Sequence, residues 1–479
     1  MGMAMTEPDD RGGACHPHAM RPLLLVVLSL VASACSLLAG QTPPAGEGEG
    51  EGEGEGEGEG EGEGEGEGEG EGEGEGEGEG EGEGEGEGEG EGEGEPCAPV
   101  VEDGCDPLGA PFGGGDGSDG SPHLLCSTAQ FEALRTAPSL QFRLAADVCL
   151  GGANRGPFTE TFTGALDGAG HTLWDLTMQS GASTALFLSV NGGTIAHLRL
   201  RRVQVRGGIN TAALVANAQD ARIDDVHVAG SVTGTDGSVG GVVATMRGSS
   251  ALRRTSFRGT VANEAPLPVL NDRLFVGGLV GIAGGGTTMS QVLFVGTVTS
   301  TRSKAGGIVG DGSGTVDQAV ARGALVGLDN TNRFGGIAGV AIIGSTWSNV
   351  MFVGRIEARA RLGGLMGEVS GTSQRLGIST SLVAADIVAG EPEVDALVAF
   401  NAGIVTPSVV VYASDRVLTV GGIRPMVDTT VNGSVGFTTA ALSTPATLGL
   451  EDFNKDLWTH IEGSLPALVF EAELPVLTD

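Results

Sequence analysis

The segment Gly277-Gly278-Leu279-Val280-Gly281, followed by Val292-Leu293-Phe294-Val295-Gly296-Thr297-Val298, decides the fold of this chain. The pair of small residues recurs as Gly240-Gly241-Val242-Val243, Gly306-Gly307-Ile308-Val309-Gly310, Gly335-Gly336-Ile337-Ala338-Gly339 and Gly363-Gly364-Leu365-Met366-Gly367. The intervals between successive copies are 37, 29, 29 and 28 residues. A repeat of this length is typical of a solenoid, so the sequence predicts coils of about 28 residues.

Strands in which apolar residues alternate follow the pairs of small residues, the first of them after a weaker copy of the pair, Ala212-Ala213-Leu214-Val215. These strands are Val226 to Val232, Thr255 to Val261, Val292 to Val298, Ala319 to Leu325 and Val350 to Ile356. Successive side chains of a strand point to opposite sides. We therefore expect Val292, Phe294 and Val298 to point into the core. Val350, Phe352 and Ile356 occupy the equivalent positions of a later coil, so the core residues of successive coils should stack in columns.

Composition agrees with an all-β chain. Aromatic residues make up 4% of the sequence and glycine contributes 86 residues, which favours short strands joined by tight turns. The formal charge of -36 comes mainly from the 25 glutamates that alternate with glycine between Glu47 and Glu95. From His123 onward, 24 basic residues face 29 acidic ones, so this near-neutral part lacks the basic excess that nucleic-acid binding requires.

An export signal is predicted near the N-terminus. Met20-Arg21-Pro22 precedes an apolar run from Leu23 to Ala34, and these twelve residues are too few to span a bilayer but suit a signal peptide. The acidic residues Glu7, Asp9 and Asp10 do not fit a basic leader, so translation starting at Met20 is an alternative.

The apolar run ends in Val31-Ala32-Ser33-Ala34-Cys35, which resembles the lipobox of bacterial lipoproteins. The resemblance implies that Cys35 carries a lipid that anchors the chain in a membrane. Ser36 follows it, and by resemblance to the known sorting rule this favours the outer membrane, with the chain facing either the periplasm or the exterior. A plain secretory signal with an incidental Cys35 is the alternative.

The predicted organisation has six parts. They are a signal peptide at 1–34, a lipidated N-terminus at 35–46, a Glu-Gly linker at 47–95, a Cys- and Gly-rich connector at 96–126, a solenoid at 127–445 and a closing segment at 446–479. The Glu-Gly linker buries no apolar surface and repels itself, so it is predicted to be disordered and to act as a spacer. A calcium-binding role is the competing interpretation of its carboxylates.

Four cysteines remain in the exported part: Cys97, Cys105, Cys126 and Cys149. An even number in an oxidising compartment predicts disulfides, and three pairings are possible. We expect Cys97 to pair with Cys105 and Cys126 with Cys149, because each bond closes a short loop. A zinc site with His123 is the alternative.

The glycine pairs and the Val-x-Phe-x-Gly-x-Val strands resemble the GLUG motif, which occurs in bacterial surface proteins including adhesins and immunoglobulin A peptidases. The segments 162–173 and 452–466 resemble the opening and closing parts of such domains, so the resemblance covers about 127–470. It implies a right-handed parallel β-helix and says little about activity. Peptidase activity in such relatives is expected in separate domains.

A short helix is predicted over the first coil at 127–137. Ser127 and Gln130 form a candidate capping box, and Phe131 and Leu134 share one face of the helix. Such a helix protects the open edge of the first coil from pairing with other chains.

The search for catalytic groups gives one cluster, Asp224 and Asp225 with His227, interpreted as solvated turn residues. His171 is interpreted as structural. No nucleophile motif is recognisable. The sequence therefore predicts a protein that is not an enzyme and holds no metal or cofactor. A polysaccharide lyase or glycoside hydrolase built on a β-helix is the alternative.

Two outward features are candidate binding surfaces. Arginines concentrate in the early coils and are predicted either to contact an anionic glycan or the Glu tract, or to be dispersed surface charge; they are Arg199, Arg201, Arg202, Arg206, Arg222, Arg253, Arg254 and Arg258. In the later coils one outward column reads Leu293, Val320, Met351 and Leu382, flanked by Val295 and Val353. Such a column requires cover, either from the closing segment or from a partner.

From these features we expect a binding or adhesion module of the cell envelope. Its partners would be the membrane, through the lipid, and a glycan or a surface protein, whereas nucleic acid is not expected. A purely structural envelope protein is a further alternative.

Overall fold

The computed structural model describes residues 97, 99–265, 274–328, 333–359, 361–371, 375–390, 394–401, 404–416, 418–420, 434–444 and 453–475. The signal segment, Cys35 and the Glu-Gly linker lie outside these residues, so the statements about them stay predictions. Among the described residues, no helix is long and apolar enough to cross a membrane.

The described chain winds into a parallel β-solenoid of about eight turns of about 29 residues. The all-β, solenoid fold predicted from the sequence is confirmed. Val280 pairs in register with Val309, and Val309 with Ala338, so successive coils stack directly on one another. Pairing begins with the strand His123–Leu125, slightly before the boundary predicted at residue 127.

The strands fall into groups by their place in the coil. The N-terminal strands are His123–Leu125, Gln141–Leu144, Val148–Cys149, Ala165–Asp167, Thr172–Trp174, Thr177–Gln179 and Phe187–Asn191. The long strands are Thr194–Gly207, Arg222–Gly234, Ala251–Asn263, Val280–Ser300, Val309–Gly327, Thr346–Ala358, Arg375–Ala389 and Ile404–Ala413. Strands of four or five residues precede several of these, at Val215–Gln219, Val243–Arg247, Ala338–Ile342, Met366–Ser370 and Val398–Asn401.

A second, seven-stranded parallel sheet runs along another side of the solenoid. Its strands are Asn210–Ala212, Ser238–Gly240, Phe275–Gly277, Lys304–Gly306, Arg333–Gly335, Arg361–Gly363 and Val394–Asp395. Five of them end on the first glycine of a repeated pair, so each pair marks the corner where the chain leaves this sheet.

The core is one continuous apolar column. Phe294 and Phe352 are fully buried, as the alternation predicts, and Phe257 stacks on Phe294 with ring centroids 6.1 Å apart. The second glycine of the pair explains this spacing: a Cβ added to Gly278 would lie 2.5 Å from the Phe294 ring. The glycine pair therefore provides the space that the phenylalanine of the same coil fills.

The N-terminal end is closed by a short helix, Thr128–Ala133, which continues as the 3-10 turn Leu134–Thr136. The Ser127 hydroxyl accepts a hydrogen bond from the Gln130 amide at 3.4 Å. The Gln130 side chain accepts from the amide of Cys126 at 2.8 Å, one residue before the partner that a capping box would use.

The disulfide connectivity expected from the sequence is wrong. The structure pairs Cys97 with Cys149 and Cys105 with Cys126, with Cα atoms 5.8 and 6.4 Å apart. Loop length misleads here, because the chain from Cys97 folds back along the first coils before it reaches its partner. The bond between Cys97 and Cys149 fixes the N-terminal end of the connector to the strand Val148–Cys149, beside Trp174 of the next coil.

The strands Leu418–Val420 and Ser434–Phe437 pair in parallel with the solenoid strands Arg375–Ala389 and Ile404–Ala413. The C-terminal part that follows packs on the side of the solenoid and contains the helix Thr439–Leu442, the antiparallel pair Trp458–Thr459 with Ala467–Leu468, and the 3-10 turn Val469–Ala472. Leu448 and Leu450, two apolar residues of the predicted closing segment, lie outside the described residues.

Candidate functional site: the outer face of the solenoid

One side of the solenoid, here called the outer face, carries both candidate binding surfaces. Its first column runs through coils in register and contains Thr172, Arg199, His227, Ser256, Leu293, Val320, Met351, Leu382 and Val411. Its second column contains Trp174 and Arg201, and further along Arg258, Val295, Arg322, Val353 and Ala384. The face therefore changes from polar to apolar between Ser256 and Leu293.

The apolar half, Leu293 to Leu382 with Val295 and Val353, is covered by the chain itself. Apolar side chains of the C-terminal part pack on it, and they are Leu442, Phe453, Trp458, Leu468, Phe470 and Leu474. Leu293 keeps 4% of its surface exposed, and Met351 none. These residues are therefore not an open binding surface in this structure, and the alternative of cover by the closing segment describes what is observed.

Polar contacts fix the cover in place. The Trp458 indole N–H donates to Asn349 Oδ1 at 3.1 Å. Glu471 accepts two hydrogen bonds from Arg322, at 2.8 and 3.2 Å. The cover thus reaches Arg322, two coils after Arg258, and Val295, one coil after it.

The arginine half, which contains Arg199, Arg201 and Arg258 with Trp174, His227 and Ser256, lies beyond the end of this cover. Arg199 is exposed, and Arg201 and Arg258 are partly exposed. The Arg201 guanidinium lies over the Trp174 ring, 4.5 Å from its centroid. Arg202 also lies over this ring, at 4.8 Å, and donates to Asp175 at 2.6 Å.

The other early arginines have acidic partners. Arg206 pairs with Glu264 at 2.8 Å. Arg222, Arg253 and Arg254 converge on the single carboxylate of Asp224, at 3.0, 3.3 and 3.2 Å. For these residues the interpretation as surface charge with nearby acidic partners agrees with the geometry.

The interpretation of Asp224 as a solvated turn residue is wrong. Its side chain is 7% exposed. Burial opposes ionisation, but the hydrogen bonds and charges of Arg222, Arg253 and Arg254 outweigh it and hold the pKa of this carboxyl below its usual range. One buried carboxylate therefore ties two successive coils together at this corner.

His227 forms a buried chain of hydrogen bonds that the sequence did not reveal. Its Nδ1 lies 2.9 Å from the Ser256 hydroxyl of the next coil, and its Nε2 lies 3.2 Å from Asp225 Oδ1. Burial lowers the pKa of the imidazole, Asp225 acts in the opposite direction, and the charges of Arg199 and Arg254 add to the lowering.

These three groups have the composition of a hydrolytic triad. Ser256 is 1% exposed, however, so its hydroxyl is not accessible to a substrate in this structure. The contact arises because positions 227 and 256 are register partners, 29 residues apart. Knowledge of the register, applied to outward polar residues, would have identified it.

His171 has contacts that match a structural role. Its Nδ1 lies 3.2 Å from Asp147 and its Nε2 lies 3.0 Å from Glu102. Asp147 also accepts from the Trp174 indole at 3.1 Å. These contacts connect the connector to the first coils below the arginine half.

Fold and outer face together define a class, the repetitive parallel β-solenoid with a self-covered side. No family model matches the chain, so the likeness to the GLUG motif remains a resemblance.

Three curated proteins are similar to parts of this chain. Halomucin of Haloquadratum walsbyi is 32% identical over 30% of this chain, an immunoglobulin A1 protease of Streptococcus sanguinis 28% over 39%, and the zinc metalloprotease ZmpC of Streptococcus pneumoniae 31% over 42%.

The matched regions are 2%, 10% and 11% of those three proteins, so the chain spans about a tenth or less of their length. Two solved structures are also similar. One is an IgA1 protease, with a TM-score of 0.44 and 20% identity over 53% of this chain and 21% of that one. The other, a candidate immunoglobulin A1 protease from Bacteroides ovatus, has a TM-score of 0.42 and 15% identity over 75% and 95%.

These names overturn one prediction. The sequence was interpreted as that of a protein without enzymatic activity, whereas two of the three curated relatives are named as proteases. The expectation of a non-enzyme is therefore wrong. The relatives are consistent with a protein of the cell envelope or the extracellular space.

Proposed function

We propose that this chain is a lipid-anchored envelope protein of the protease-like group, in which the β-solenoid is a binding module held away from the membrane. The observation that carries the proposal is the division of the outer face. Within the described residues, the C-terminal part covers the apolar half, whereas Arg199 of the arginine half is exposed and Arg201 and Arg258 are partly exposed.

The N-terminal sequence supports the other part of the proposal. A lipid on Cys35 would anchor the chain, and the linker at 47–95 would separate the solenoid from the membrane. Fully extended, these 49 residues reach on the order of 160 Å, and a flexible glycine-rich chain would average about 40 Å. Two disulfides in the described part suit a compartment outside the cytosol.

Cys35→Ala tests the anchor. We expect the parent chain to enter the detergent phase and its processing to be blocked by globomycin, because the lipid is attached to the Cys35 thiol. The variant should move to the aqueous phase and lose globomycin sensitivity. Cys15→Ala is the matched control, since this cysteine precedes the predicted signal cleavage. If Cys35→Ala still partitions with the membrane, the anchor is not at Cys35.

A further inference from the structure

We propose that the arginine half of the outer face binds an acidic polysaccharide whose carboxylates contact Arg199 and Arg258. This inference rests on the proposed function, because it names the ligand class of the binding module. It goes further in assigning the site to particular guanidinium groups.

Arg199 and Arg258 differ from the other early arginines in their partners. In the described part of the chain, neither of them forms an ion pair, whereas Arg202, Arg206, Arg222, Arg253 and Arg254 all contact a carboxylate. The Nε of Arg258 is buried and has no hydrogen-bond partner among the described residues. A buried donor without a partner is costly, so the described part of the chain leaves this guanidinium group unsatisfied.

The titratable groups close to these arginines are engaged with other residues. His227 lies in register with Arg199, and burial keeps the pKa of its imidazole low, so it adds little positive charge to the face near neutral pH. Asp225 forms a hydrogen bond with His227, and Asp224 forms ion pairs with Arg222, Arg253 and Arg254. The acidic groups nearest to the site are thus already engaged, which leaves Arg199 and Arg258 available to an external anion.

The layout suits a linear ligand. Arg199 and Arg201 are two residues apart on one strand, and Arg258 lies two strands further along the stack, with Ala229 between them. At about 4.8 Å per strand, this separates Arg258 from the Arg199 strand by about 10 Å. Cations at such steps fit an extended polymer with repeated carboxylates, and guanidinium groups bind carboxylates through two hydrogen bonds.

The test uses the secreted full-length chain carrying Cys35→Ala, with polygalacturonate as the acidic probe and dextran as the neutral one. The double variant Arg199→Gln/Arg258→Gln removes two positive charges from the site. The matched control, Arg247→Gln/Arg355→Gln, removes two from exposed positions off the arginine half. Thermal unfolding of each variant checks that it is folded.

We expect the site variant to bind polygalacturonate about ten-fold more weakly or worse, because each lost contact is a charge-assisted hydrogen bond. The control should change by less than about two-fold, since distant exposed charges are screened by salt. Dextran should not bind. Equal losses in both variants, unchanged binding in the site variant, or a preference for duplex DNA over polygalacturonate would each overturn the proposal.

The outcome is separable from that of the anchor experiment. Polygalacturonate binding by the purified chain does not depend on the lipid, and partition of the lipidated chain does not depend on Arg199 or Arg258. A protein that partitions but does not bind would refute the ligand and leave the anchor intact.

Discussion

Met351→Asp is expected to destabilise the protein by about 3–5 kcal/mol, because it buries an unpaired carboxylate in the apolar contact between the solenoid and the C-terminal part. Met351 is fully buried under the C-terminal part, with Val320 and Leu382 as its register partners. Detachment of the cover would expose the apolar half of the outer face. Urea unfolding followed by circular dichroism measures the effect.

Leu328→Asp is the matched control, because it makes the same kind of change at a side chain that is 63% exposed. Its effect should stay within about 0.5 kcal/mol. If Met351→Asp unfolds at the same urea concentration as the parent, the C-terminal part does not cover the column, and a partner would have to.

Gly296→Ala is the second substitution with a large expected effect, about 2–4 kcal/mol. Gly296 has a φ of +150°, and a Cβ added to it would lie 1.8 Å from the carbonyl oxygen of Gly259 in the preceding coil. The same close approach repeats at Gly323 and Gly354. A methyl group there must push two coils apart, so the cost is not limited to one residue.

Gly377→Ala provides the comparison, because the nearest atom to its added Cβ is the Thr346 methyl at 3.9 Å, an ordinary contact. It should change the stability by less than about 1 kcal/mol and in the stabilising direction, since alanine restricts the unfolded chain. Equal urea midpoints for the two variants would mean that the coils are not packed through the glycine column.

The fold was accessible from the sequence because its information is local and repeated. Spacing of the glycine pairs gives the coil length, and alternation around Phe294 and Phe352 assigns the core face. The apolar column from Leu293 to Leu382 follows from the same register. This column would expose apolar side chains to water if nothing packed on it, so the sequence pattern also predicts that it is covered.

What the sequence did not reveal depends on contacts between coils or between distant segments. The connectivity of Cys97 and Cys105 depends on how the connector folds back on the first coils, which loop length does not encode. The three arginines on Asp224, and the contact of His227 with Ser256, require polar side chains of neighbouring coils to meet. When each coil is considered separately, these polar side chains look like isolated surface residues.

The central claim is that the coils stack in one parallel register, which places the arginine half and the apolar half on the same face. Thr260 and Thr297 are register partners on adjacent coils. Their Cα atoms should be about 4.8 Å apart, within the range of a disulfide, whereas Thr260 and Thr299 should be about 8 Å apart.

Cross-linking of engineered cysteine pairs at these positions tests the register most directly. On mild oxidation, Thr260→Cys/Thr297→Cys should form an intramolecular disulfide, detected by mass spectrometry of the linked peptides, and Thr260→Cys/Thr299→Cys should not. A cross-link in the second pair in preference to the first, or equal cross-linking in both, would contradict the register and with it the assignment of the outer face.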